Sequence, residues 1–61
     1  MDFYFIVDVA SDVILSVVQR NKKPAQVAGK KFVKATGIQM TFFNRLSTSQ
    51  SEVTLEQVLK Y

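Results

Sequence analysis

Seven residues near the N-terminus alternate strictly between two sides, and this stretch does most to decide the fold. In Phe3-Tyr4-Phe5-Ile6-Val7-Asp8-Val9, the residues Phe3, Phe5, Val7 and Val9 fall on one side and Tyr4, Ile6 and Asp8 on the other. A period of two is the pattern of a pleated strand, and seven residues span roughly 23 Å. Ala10-Ser11-Asp12 can turn the chain, although the glycine that favours a tight hairpin is missing. Val13 to Gln19 then reads as a returning strand, with Val13, Leu15 and Val17 opposed to Ile14, Ser16 and Val18. A helix capped by Ser11 or Asp12 is the rival, and it would gather Ile14, Val17 and Val18 on one face. Four of the seven residues are β-branched, which favours the strand.

The next unit runs from Lys22 to Gly37. Pro24 suits the first position of a helix, and Gly37 suits the left-handed position just past its end. Asn21 supports the turn into it. At 100° per residue, Ala25, Ala28, Phe32 and Ala35 share a narrow apolar side, with Gly29 and Thr36 at its edge. Lys30, Lys31 and Lys34 point the other way. The spacing predicts a helix from Pro24 to about Thr36, roughly 20 Å long. Within it Gly29 costs about 1 kcal/mol relative to alanine, explained by close contact with a sheet.

Past Gly37 the period returns to two. Met40 and Phe42 alternate with Gln39, Thr41 and Phe43, predicting a strand as far as Leu46, and Ser47 to Ser51 follow as a polar loop. The last ten residues support two readings. As a strand, Val53, Leu55, Leu59 and Tyr61 face one way. As a helix, Thr54-Leu55-Glu56-Gln57 forms a capping box, Leu55, Val58 and Leu59 make a stripe, and Glu56 pairs with Lys60. The strand is favoured. The expected architecture is therefore a single α+β domain, an antiparallel sheet with one helix packed on it, in the order ββαββ; ββαβα is the alternative.

A chain of 61 residues buries only about 60% of its unfolded surface and is marginal without staples. With no cysteine or histidine, disulfides and thiolate zinc sites are excluded, so an aromatic core of five Phe and two Tyr, or a partner, must supply stability. The hydrophobic fraction of 48% separates the chain from the disordered class. Its start lacks a basic signal-peptide region and no apolar run is long enough to span a bilayer. The expectation is an intracellular protein, cytoplasmic or nucleoid-associated, or one carried in a virion, with no membrane partner.

Charge is unevenly placed along the chain. No Asp or Glu occurs from Val13 to Ser51, where Arg20, Lys22, Lys23, Lys30, Lys31, Lys34 and Arg45 all lie. Such segregation attracts anionic polymers or surfaces. Catalysis has no visible machinery: the five carboxylates sit near the ends without pairing, and two isolated glycines make no phosphate-cradling loop. No cofactor or metal is implied. Binding is the better reading, with those seven basic residues as nucleic-acid contacts giving salt-dependent affinity and little sequence preference. Tyr4, Phe43 and Tyr61 are the aromatics free to stack on bases or wedge into a groove, if they do not simply pack.

Lys23-Pro24-Ala25-Gln26-Val27-Ala28-Gly29-Lys30 resembles the pattern K-x-P-x-Q-A-A-x-K and its near variants. That pattern marks the helix of the small monomeric chromosomal proteins of methanogenic archaea, and similar domains occur in large DNA viruses. The resemblance covers about eight residues, with Val27 and Gly29 departing from it, and the tryptophan and dense arginine of the archaeal members are missing. It implies an architectural DNA-binding domain, with Lys23 and Lys30 as anion contacts. The alternative function is a small structural subunit of a capsid or ribonucleoprotein particle, joined to neighbouring subunits through exposed strand edges.

Overall fold

The computed structural model describes residues 1–60. Three strands and two helices follow one another: β1 (Asp2–Asp8), β2 (Ile14–Arg20), β3 (Lys30–Ala35), α1 (Gly37–Ser49) and α2 (Leu55–Leu59). The strands form one antiparallel sheet in the order β2-β1-β3, so the N-terminal strand lies at its centre. The α+β class and the antiparallel sheet are as expected. The order is not: βββαα replaces both ββαββ and ββαβα.

β1 and its hairpin to β2 lie where the alternation puts them. The missing glycine is replaced by Asp12, which adopts a left-handed φ of 62°, a conformation that Asp tolerates better than most residues. The Asp12 amide donates to the Asp8 carbonyl at 2.7 Å, and Ser11 donates to the Asp8 carboxylate from both its amide (3.3 Å) and its hydroxyl (2.6 Å). The phase of β2 shifts along its length. Ile6 pairs with Ser16 but Val7 pairs with Ile14, leaving Leu15 as the extra residue of a bulge. Ile14 thereby joins Val17 against the core, while Leu15 is 51% exposed. The expected grouping of Val13, Leu15 and Val17 fails at that bulge.

The expected helix from Pro24 to Thr36 does not form. Residues 21–29 are an irregular connection from the end of β2 to the start of β3, and the six residues after it are strand. Gly29 has a φ of 79°, the left-handed value a turn requires, and the Lys30 amide closes that turn on the Val27 carbonyl at 3.1 Å. A second bond, from the Val9 amide to the Gly29 carbonyl at 3.0 Å, ties this turn to the end of β1. The physical reason is competition. β1 has a second edge to satisfy, and Lys30 to Ala35 alternate well enough to pair with it, Val33 against Phe5 and Phe32 against Ile6. A helix interrupted by glycine offers less.

Gly37 is the first residue of α1, not a helix terminator. Thr36 caps the helix: its hydroxyl accepts from the Gln39 amide at 3.1 Å, and the Gln39 side chain accepts from the Thr36 amide at 3.0 Å. The expected strand from Gln39 to Leu46 is thus helical, with Met40, Phe43 and Leu46 spaced to meet the sheet. Ser47 to Ser49, expected in a loop, form the last helical turn. The hydroxyls of Ser47, Thr48 and Ser49 donate back to the carbonyls of Asn44, Arg45 and Leu46, three residues earlier. The C-terminal segment is α2, the helical alternative. Thr54 and Gln57 make the reciprocal cap read from the sequence. Just before it, Ile14 donates to Val53 and Leu55 donates to Asp12, pinning the segment beside the hairpin.

Both helices lie on one side of the sheet. Phe5, Val7, Ile14, Val53, Leu55 and Val58 form the buried core, with Val17, Val33, Ala35, Met40, Phe43 and Leu46 packed around it. The Phe5 and Phe43 rings meet at 5.5 Å and 56°, a tilted aromatic pair. The shortest extent of the molecule is 17 Å, which fits one sheet and one helical layer.

Candidate nucleic-acid interface

The sheet has a second side, and register places its residues. Opposite partners in an antiparallel pair share a face. Tyr4 lies between Val18 and Lys34, Ile6 between Ser16 and Phe32, Asp2 opposite Arg20, and Asp8 opposite Lys30. These residues face away from the helices. Tyr4 and Phe32 are nevertheless only 5% and 9% exposed. The connection 21–29 must pass from one end of the sheet to the other to carry the chain from β2 to β3. Lys22 and Lys23 lie in this connection and are exposed.

The seven basic residues expected to bind do not form one helical face. Arg20, Lys30 and Lys34 project from the sheet side away from the helices, and Lys22 and Lys23 belong to the connection between β2 and β3. Arg20 and Lys34 lie towards the Asp2 end of β1, and Lys30 lies at its Asp8 end. Lys31, one residue out of phase, pairs with Val7 and so projects to the helix side. Arg45 sits on α1, its guanidinium 5.7 Å from the centre of the Phe42 ring, and does not join the group.

The acids return in space where they are absent in sequence. β3 lies beside β1, which begins at Asp2, and near the turn that holds Asp12, so lysines far from any carboxylate along the chain acquire one in space. Lys34 Nζ is 3.7 Å from Asp2, and Lys31 Nζ is 3.1 Å from Asp12. All four side chains are more than a third exposed, so each pair contributes less than about 1 kcal/mol and weakens with salt. An anion approaching Lys34 would have to compete with Asp2. Arg20, Lys22, Lys23, Lys30 and Arg45 have no ion pair among the described residues. Arg20 donates instead to the carbonyl of its neighbour Gln19 at 2.8 Å.

No family model, curated protein or solved structure matches the chain.

The interface therefore rests on its own geometry. Sequence reasoning missed Asp2 and Asp12 as partners of the lysines. Their positions flanking the first two strands were legible, but the register that brings β3 beside them was not. Of the three candidate stacking aromatics, Tyr4 is buried and Phe43 packs on Phe5. Tyr61 lies outside the described residues. Of the eight residues that carry the family resemblance, Lys23 to Gly29 fall in the connection and its turn and Lys30 opens β3, so none is helical.

Proposed function

We propose that this protein is a non-enzymatic binding module for the backbone of a nucleic acid. Its contacts are Arg20, Lys22, Lys23, Lys30 and Lys34. The observation that carries the reading is that Arg20, Lys30 and Lys34 share the side of the sheet away from the helices, with Lys22 and Lys23 following Arg20 within four consecutive residues, these last three all exposed. Ammonium and guanidinium groups spread over a sheet face can each meet a phosphate, releasing counterions as they do so. Tyr4 and Phe32 are covered on this side, which leaves charge as the means of attachment and predicts little discrimination among bases.

Affinity should fall linearly on a log–log plot against salt, with a slope of about 0.9 for each duplex phosphate neutralised. Fluorescence anisotropy with labelled duplexes of unrelated sequence, repeated over a range of salt, measures this. Similar affinities with a steep common slope are expected. Absence of binding at low salt would end the proposal.

A further inference from the structure

We propose that a second copy of this chain pairs with the outer edge of β2, joining two three-stranded sheets into one of six strands. The sheet has two edges, and they differ in charge. Three of the six residues of β3 are lysines, and self-pairing centred on Phe32 would set Lys30 opposite Lys34 twice. Lysines on an edge strand discourage such pairing. β2 carries a single charge, Arg20, at its end. Its outer side is occupied near Ile14, which donates to the Val53 carbonyl. From Ser16 to Arg20 no strand covers it among the described residues.

Two β2 strands can meet antiparallel about Val18, with Val17 opposite Gln19 and Ser16 opposite Arg20. No like charges oppose one another in this register. The bulge at Leu15 limits the pairing to five residues, a length typical of strands. Val17 and Val18 are half-buried in the single chain and lose more of their surface in the pair. The chain also gains a larger sheet, a direct remedy for a small domain that has no cysteine to form a disulfide.

The symmetry has a geometric consequence. Antiparallel strands are related by a two-fold axis perpendicular to the sheet, so the helices of both copies lie on one side. The basic groups then lie together on the other, doubling the charged area. The pairing itself does not depend on any ligand.

Sedimentation equilibrium over a range of protein concentrations tests the proposal, and the expected result is a monomer–dimer equilibrium. Ser16→Lys sets a lysine opposite Arg20 at two symmetric places and should weaken dimerisation about tenfold or more. Ser16 is exposed, so circular dichroism should stay unchanged. Lys30→Thr on the opposite edge should leave the equilibrium as it is. Hydrogen exchange of the unaltered chain gives a second readout, with protection between Ser16 and Arg20 rising with concentration and that of β3 constant. A monomer at every concentration overturns the proposal. So does a dimer indifferent to Ser16→Lys, or one whose new protection falls on β3.

Discussion

Two glycines separate the roles of single residues. Gly29 has a φ of 79° and open space where a Cβ would stand, so alanine there meets no atom but must adopt a left-handed backbone. Gly29→Ala should destabilise by about 1 kcal/mol. Gly37 also faces open space, without the unusual φ, inside the first turn of α1. Gly37→Ala should be neutral or stabilise by up to about 1 kcal/mol. Had Gly37 closed a preceding helix in a left-handed conformation, the same substitution would destabilise. Chemical denaturation of both variants decides between the two arrangements. The acids give a prediction of another kind. Asp2→Asn removes the carboxylate 3.7 Å from Lys34 and should tighten binding to DNA, read as a lower Kd at fixed salt, with little change in stability. Asp12 combines three tasks: a left-handed backbone, an ion pair to Lys31 and a carbonyl that receives the Leu55 amide. Nothing in its local sequence separates it from an ordinary turn residue.

Among the elements, both helices begin with the same device. Thr36-Gly37-Ile38-Gln39 and Thr54-Leu55-Glu56-Gln57 are reciprocal caps. Thr36→Ala and Thr54→Ala should each cost about 1 kcal/mol in thermal or chemical unfolding. The second cap was legible in the sequence, and the first was hidden by the reading of Thr36 as the end of a helix. That one misreading moved its neighbours. Once Lys30 to Ala35 are taken as helical, Gln39 to Leu46 must supply a strand, and the alternation of Met40 and Phe42 fits one. The residues that meet the sheet are instead Met40, Phe43 and Leu46, at helical spacing. Short segments with few large apolar residues satisfy both periods, and tertiary pairing decides. β1, in contrast, carries unbroken alternation and large side chains, and it lies at the centre of the sheet as that pattern requires. The bulge at Leu15 belongs with the illegible features, since it depends on the pairing of two strands and not on either alone.

At the scale of the whole molecule, sequence separation of charge is a poor guide to separation in space. A basic strand set beside β1 and its hairpin turn becomes partly neutralised, Lys34 by Asp2 and Lys31 by Asp12. What persists is the charge on the sheet side away from the helices and in the connection. Six of the seven expected contacts lie between Arg20 and Lys34 in the sequence. Strand geometry divides them, sending Lys31 to the helix side while Lys30 and Lys34 stay on the side of Arg20. Arg45 stands apart on α1 and serves as an internal control of equal charge. The most direct measurement is the salt dependence of DNA binding for three proteins: the unaltered chain, Lys22→Ala with Lys23→Ala, and Arg45→Ala. The double substitution should weaken binding and reduce the log–log slope by about 1.8, while Arg45→Ala should leave the slope unchanged. An equal loss from Arg45→Ala, or an unchanged slope in the double variant, would contradict the assignment of binding to this side of the sheet.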